Sequence, residues 1–99
     1  MKHQIFSVYD LKAEAYMPPF FQHNDKMAMR AFGDAVNDQQ HQFNLHTMDY
    51  ALMHLGEFDD ETGKINQFDI AKHLGLANEY LINNKKDTDQ QELDIGMTQ

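Results

Sequence analysis

The sequence predicts a small α+β fold, a single domain in which an antiparallel or mixed sheet carries one or two helices on one face. Short runs rich in β-branched and aromatic residues flank a segment with helical periodicity, and elements in this order pack naturally as a sheet covered by helices. The 99 residues suffice for one modest core and are too few for two ordinary domains. We therefore predict one domain over residues 1–82.

The first strand is predicted at residues 5–10, because β-branched and aromatic side chains dominate this run. Residues 12–16 form too short a segment to assign to a helix or a strand. The proline pair at 18–19 then forces an extended conformation and excludes a helix immediately before it. We predict that Phe20 and Phe21, which follow, lie in a loop.

A helix is predicted to begin after Asn24 and to end near residues 37–38. Asn24 is a favourable N-cap, and Asp25 in the first turn interacts favourably with the helix dipole. The chain becomes polar at residues 37–38, which ends the apolar stripe. That stripe consists of Ala28, Met29, Phe32, Ala35 and Val36.

A β-hairpin is predicted in the middle of the chain. Residues 50–58 have apolar side chains at both alternating sets of positions, which is typical of a strand buried on both faces. The polar turn at 59–63 leads into a partner strand at 64–68, with Gly63 available for a positive φ. This turn has the composition of a calcium loop but is too short for one, so we predict an exposed turn whose side chains cap their own backbone.

A second helix is predicted after Phe68, because apolar residues return to helical spacing, and Gly75 can divide this helix into two short pieces. The apolar residues concerned are Ile70, Leu74, Ala77 and Leu81. The chain then becomes polar and nearly free of apolar residues, so it cannot contribute to a core. We predict a flexible polar tail at residues 83–99 that can serve as an interaction arm.

Composition limits the cellular compartment and the class of partner. The chain has no cysteine, which excludes disulfides and thiolate metal sites and favours a reducing compartment. Neither a signal peptide nor a run of about 20 apolar residues is present, so we expect a cytosolic protein without a membrane partner. Sixteen acidic and eight basic residues give a net charge of −8, which repels phosphate backbones overall.

No group of residues supports an enzyme or a bound cofactor. The six histidines lack the spacing of a metal motif, although a zinc site formed by His41, His46 and Asp49 in the folded chain remains an alternative. The five glycines are isolated from one another, so there is no phosphate-binding loop. Ser7, the one serine, is predicted to lie within a strand. We therefore predict a non-enzymatic protein with no catalytic residues and no metal site.

One region mixes aromatic and basic residues closely enough to suggest a nucleic-acid site. Single-stranded nucleic acid is bound by aromatic side chains on which bases stack, together with cations that contact the backbone. The alternative is that these aromatics pack against the helix or against a dimer partner. The candidate residues are Tyr9, Lys12, Tyr16, Phe20, Phe21, Lys26 and Arg30.

Segments spread over residues 4 to 76 carry a resemblance to a known family. In order, they are Phe6-Ser7-Val8-Tyr9-Asp10, Lys12-Ala13-Glu14-Ala15-Tyr16, Pro19-Phe20-Phe21, Arg30-Ala31-Phe32, Ala35-Val36-Asn37-Asp38, His41-Gln42-Phe43, Asp49-Tyr50, Leu55-Gly56-Glu57-Phe58-Asp59 and Thr62-Gly63-Lys64-Ile65. This series resembles the small non-structural protein of gokushoviruses, which are microviruses, small single-stranded DNA bacteriophages.

The resemblance implies an accessory role in viral single-stranded DNA replication or synthesis, in the cytoplasm of the host bacterium, with viral single-stranded DNA as a partner. It supplies no catalytic residues. The charge of −8 favours a second hypothesis, an acidic protein-interaction module that regulates the viral replication initiator or a host replication factor. Because a domain of this size buries a modest core, a homodimer or small homo-oligomer is also an option.

Overall fold

A computed structural model describes residues 1–82, and the predicted tail at residues 83–99 lies outside the described part. The α+β class predicted from sequence is confirmed: a five-stranded antiparallel sheet carries one long helix on one face. Within residues 1–82, no helix has the length and apolar character that crossing a bilayer requires.

Three strands precede two helices, a pair of strands and a 3₁₀ helix follow them, and every strand pairing is antiparallel. Strand β1 is central, with β4 on one side and both β2 and β3 on the other, and β5 lies outside β4. The elements are β1 (Lys2–Asp10), β2 (Ala15–Tyr16), β3 (Phe20–Gln22), α1 (Asp25–Val36), α2 (Gln42–Leu45), β4 (Tyr50–Asp59), β5 (Ile65–Leu76) and a 3₁₀ helix (Ala77–Tyr80).

Strands β2 and β3 behave as one strand interrupted by the proline pair at 18–19. Proline has no N–H to donate to a sheet, so it is tolerated here only because β2 and β3 form an edge of the sheet. The Met17 N–H still donates to β1 over 2.8 Å, and Phe20 and Phe21 resume the pairing beyond the prolines. The prediction of a loop at Phe20 and Phe21 is therefore wrong, because pairing with a distant strand extends them.

Helix α1 confirms the predicted helix and its N-cap. The Asn24 side chain accepts a hydrogen bond from the Met27 N–H over 2.9 Å, and the helix ends where Asn37 caps it. Its buried face packs on β1 and β4 together with residues from α2 and the 3₁₀ helix. The resulting core is formed by Phe6, Val8, Ala28, Phe32, Val36, Phe43, Tyr50, Leu52 and Ala77.

The sheet has one face covered by α1 and one face that no described helix covers. Side chains alternate between the faces of a strand, and residues paired across strands share a face. Phe6 and Val8 pack towards α1, so the odd-numbered residues of β1 and their partners face the other way. We call this side the open face. Its strand residues include His3, Ile5, Ser7, Tyr9, Tyr16, Phe21, Ala51, Met53, Gly56, Phe58, Ile65, Gln67, His73 and Leu76.

The predicted hairpin is confirmed as β4 and β5, joined by a tight polar turn. Gly63 has a φ of 76°, the left-handed conformation that glycine adopts without steric cost. Asp59 Oδ1 accepts from the Glu61 N–H over 3.0 Å, and Thr62 Oγ1 accepts from the Lys64 N–H over 3.2 Å. The turn therefore caps its own backbone, as its composition predicts.

The second helix predicted after Phe68 is wrong, because β5 continues to Leu76 and only a short 3₁₀ helix follows. Bulges in β5 explain why its apolar residues do not alternate with the period of a regular strand. Between the pairs His54–Lys72 and Gly56–Gln67, β5 has four residues where β4 has one, and Ile70 in this excursion is 86% exposed. Pairing with β4 thus overrides the local helical periodicity.

Candidate nucleic-acid interface

Two aromatic pairs lie on the open face. Tyr9 and Tyr16 are directly opposite each other on β1 and β2, with ring centroids 4.8 Å apart. Phe21 on β3 and Phe58 on β4 approach within 6.0 Å across the intervening strand. All four side chains project from paired strands, which fix their positions more firmly than a loop would.

One ring of each pair is well exposed to solvent. Tyr16 is 50% exposed and Phe21 is 54% exposed, whereas Tyr9 and Phe58 are half-buried beside them. The small residues between the pairs, such as Ser7 and Gly56, are buried beneath the larger side chains. An exposed ring supported by a second ring is a suitable surface for a planar base to stack on.

A groove with a volume of about 310 Å³ crosses the open face between the two aromatic pairs. Ser7 forms part of its lining, and Ser7 lies on β1 between Tyr9 of one pair and Ile5, which is paired with Phe21 of the other. The full lining consists of Ser7, Tyr16, Met17, Pro19, Leu55, Gln67, Phe68, Asp69 and Ala71.

Ser7 supplies a hydrogen bond to the segment that the prolines interrupt. Where the ladder is broken at the proline pair at 18–19, no backbone N–H of the described residues donates to the Met17 carbonyl. The Ser7 hydroxyl donates to this carbonyl over 2.6 Å and is fully buried. This hydrogen bond holds the proline segment against the sheet and gives the groove one of its walls.

The open face is almost uncharged. Among the strand residues that face this side within residues 1–82, none is Lys or Arg, and Asp69 in the groove is the one carboxylate. Other described carboxylates lie in turns and loops, on the helices, or at strand positions that face the helix-covered side. Asp60 in the hairpin turn is an example: a hydrogen bond of 2.8 Å from His3, together with the nearby terminal ammonium, lowers the pKa of Asp60.

The candidate residues predicted from sequence are divided between the two sides of the sheet. Tyr9, Tyr16 and Phe21 come together on the open face. Phe20 faces the other way and stacks on Phe6 with centroids 5.8 Å apart. Phe58, which completes the second aromatic pair, was missed because it is distant in sequence.

The basic residues predicted for the site do not join the aromatics. Lys26 and Arg30 are exposed on α1, which covers the opposite side of the sheet. Lys12 lies in the turn after β1 and lines a concavity with Asp10 and Asp49, so its charge is placed beside carboxylates. The mixture of aromatic and basic side chains that is visible in the sequence is therefore separated by the fold.

Comparison with protein families identifies the chain. A family model described as Phage ORF5 protein matches residues 3–80. The chain belongs to the Phage ORF5 protein family. The match covers all of the sheet except Lys2, and with it both aromatic pairs and the groove, and it confirms the predicted resemblance to a small phage protein. No curated protein matches the chain, and no solved structure matches it.

The histidines of this Phage ORF5 family member do not assemble a metal centre within residues 1–82, where no group of three or more potential metal-binding side chains is close enough. His41, one of the three residues of the alternative zinc site with His46 and Asp49, caps a helix. Its Nδ1 accepts from the Phe43 N–H over 3.0 Å and caps helix α2.

A polar cluster around the buried His54 was missed in the sequence, where His54 looks like an ordinary strand residue. Its Nδ1 lies 3.1 Å from Asp25 Oδ1, close but not aligned as a hydrogen bond, and Asp25 Oδ2 accepts from Lys72 Nζ over 2.7 Å. Its Nε2 lies 2.8 Å from Gln4 Oε1. One ring nitrogen of His54 contacts Asp25 on α1 and the other contacts Gln4 on β1. We therefore interpret the cluster as a structural link between α1 and the sheet.

Proposed function

We propose that this phage accessory protein binds single-stranded DNA on the open face of its sheet and so assists viral single-stranded DNA replication or synthesis in the host cytoplasm, without catalysing a reaction. The observation that carries the proposal is the placement of two aromatic pairs on one sheet face that no described helix covers. Stacking of a base on an aromatic side chain contributes about 1–3 kcal/mol, and every base has a face that can stack.

The uncharged character of the open face determines how such binding responds to salt. Proteins that neutralise phosphates with Lys and Arg release counterions, and their affinity falls steeply as salt rises. The strand residues described on this face include no Lys or Arg. Binding by stacking therefore depends only weakly on salt, and it excludes duplex DNA because paired bases are stacked on each other.

The proposal is tested by fluorescence anisotropy of a labelled strand of ~20 nucleotides. We expect saturable binding that persists from about 50 to 200 mM salt, with little competition from duplex. Tyr16→Ala and Phe21→Ala should each weaken binding by about 5- to 100-fold, the loss of one stacked base. Met27→Ala is the matched control, since Met27 is a similarly exposed apolar side chain on α1. Absence of binding at low salt would overturn the proposal.

The second candidate is the acidic protein-interaction module. The observation that favours it is the same scarcity of cations on the open face, combined with a net charge of −8. An uncharged apolar surface with acidic surroundings suits a basic protein such as the viral replication initiator or a host replication factor. It predicts saturable binding to the purified initiator or factor that weakens as salt rises, together with no binding to single-stranded DNA.

A further inference from the structure

We infer that the groove between the two aromatic pairs holds one nucleobase and selects guanine through the carboxylate of Asp69. This inference rests on the proposed function, because it assigns a base preference to the same surface. The groove has a volume of about 310 Å³, is predominantly apolar and opens on the face that carries the exposed rings.

The position of the groove places it on the path of a bound strand. On β1, Tyr9 belongs to one aromatic pair and Ile5 is paired with Phe21 of the other. Tyr9 and Ile5 are four residues apart, a distance of about 13 Å at the rise of a β-strand. Tyr16 belongs to one aromatic pair and also lines the groove. A single strand that stacks on both pairs therefore passes over the groove and can insert a base into it.

The irregularity of β5 creates the polar end of the groove. Four residues of β5 stand opposite the single residue Leu55 of β4, and this excursion brings Asp69 and Ala71 to the groove lining. Bulges of this kind redirect side chains and are over-represented next to functional sites. Gln67, on the same strand, contributes an amide to the lining.

Asp69 makes the groove unsuitable for phosphate and suitable for a base edge. Within residues 1–82, no Lys, Arg or His lies within ion-pair distance of Asp69, so its carboxylate is available as an acceptor. A carboxylate repels the DNA backbone, whereas it binds well to two adjacent N–H donors. Whatever the groove binds must therefore present donors to Asp69.

Guanine is the one DNA base with two adjacent donors on its Watson–Crick edge, the N1–H and the N2 amino group. A carboxylate can accept from both at once, and the amide of Gln67 can donate to O6 beside them. Adenine and cytosine each present one amino donor next to an acceptor nitrogen, and thymine presents one N–H between two carbonyls. The chemistry of the lining thus favours guanine over the other three bases.

The test compares the affinities of thymidine strands of about 12 nucleotides that carry guanine, adenine or cytosine at every third position. We expect the guanine strand to bind about 5- to 100-fold more tightly than the others, the usual discrimination of a bidentate base contact. In Asp69→Asn, the guanine preference should be largely lost, so that the guanine strand binds no more tightly than the adenine and cytosine strands.

Asp34→Asn is the control for net charge, because it makes the same change on the exposed side of α1. It should leave the guanine preference intact. If wild-type protein binds all strands equally, or if Asp34→Asn and Asp69→Asn behave alike, the base preference is overturned while the stacking proposal stands. If no strand binds at any salt concentration, the proposed function fails and the base preference fails with it.

Discussion

At the scale of single residues, buried polar groups are satisfied by specific partners. Ser7 is the one serine of the chain, and its hydroxyl supplies the hydrogen bond that the prolines remove from the sheet ladder. Burying a polar group without a partner is costly, so such a compensation is expected wherever proline interrupts a strand. The residue is therefore important for the shape of the groove as well as for stability.

Ser7→Ala should lower the free energy of unfolding by about 0.5–1.5 kcal/mol, because the partly buried Met17 carbonyl loses its hydrogen-bond donor. Urea unfolding followed by circular dichroism measures this change. Thr62→Ala removes an exposed hydroxyl whose hydrogen bond from the Lys64 N–H can be replaced by water, and it should cost about 0.5 kcal/mol or less. Equal effects of the two substitutions would contradict the role assigned to Ser7.

Tyr50 predicts a pH dependence on the alkaline side. Burial raises the pKa of the Tyr50 hydroxyl above its ordinary value, and the carboxylates of Asp10 and Asp49 add to the shift. A raised pKa in the folded state means that the contribution of Tyr50 is complete below about pH 10 and is lost as the pH rises through the folded-state pKa. Wild-type protein should therefore lose stability above about pH 10.

Tyr50→Phe keeps the ring in the core and removes the group that ionises. Urea unfolding midpoints measured between about pH 8 and 11 should fall less for this variant than for wild type. Tyr16→Phe, which makes the same substitution at an exposed tyrosine, is the comparison variant. If the unfolding midpoint of Tyr50→Phe fell more steeply at alkaline pH than that of wild type, the pH dependence could not be assigned to Tyr50.

At the scale of elements, the β4–β5 hairpin depends on one close approach between its strands. A Cβ atom placed on Gly56 would lie 2.3 Å from the Asn66 carbonyl oxygen and 2.9 Å from the Gln67 Cα. Both obstacles are backbone atoms, which cannot rotate away as a side chain can. Gly56 is thus required where the irregular part of β5 rejoins β4.

Gly56→Ala should destabilise the protein by about 3 kcal/mol or more, because the strands must separate to admit the methyl group. Gly33→Ala is the matched comparison: in α1 the new Cβ would make an ordinary contact of 3.5 Å with Tyr80, and alanine should stabilise the helix by about 0.5–1 kcal/mol. Thermal unfolding of both variants tests the contrast. If Gly33→Ala destabilised the protein as much as Gly56→Ala, the distances from the added Cβ to its neighbours would not explain the effect.

At the scale of the whole molecule, charge and aromatic surface are separated. Helix α1, which carries Lys26 and Arg30, covers one side of the sheet, and the aromatic pairs lie on the open face, on the other side. A strand of DNA on the open face cannot reach these two cations directly. Their contribution to binding is therefore limited to the weak, screened field that they produce at a distance.

The double variant Lys26→Gln, Arg30→Gln should bind the ~20-nucleotide strand about as well as wild type at 200 mM salt, where long-range fields are screened. Fluorescence anisotropy measures this, with Tyr16→Ala as the variant that should lose affinity. A loss in the double variant as large as that in Tyr16→Ala would move the binding site to α1 and restore the site predicted from sequence.

The elements that sequence predicts correctly here are those with local causes. Asn24 caps α1, β-branched and aromatic residues define β1, and Gly63 allows the hairpin turn, each by interactions within a few residues. The α+β class follows from their order. The sequence also nominates Tyr9 and Tyr16 as site candidates, because they are aromatics without an evident place in the core, and their role in binding stays a prediction.

Other features were decided only by the tertiary structure. Pairing with β1 makes β3 a strand, and pairing with β4 extends β5 through a segment that has helical spacing, because partners distant in sequence satisfy their backbone groups. The same pairing sends Phe20 to the core and Phe21 to the open face, where it meets Phe58. Sequence proximity cannot reveal such a site, since the register of a sheet sets which side chains share a face.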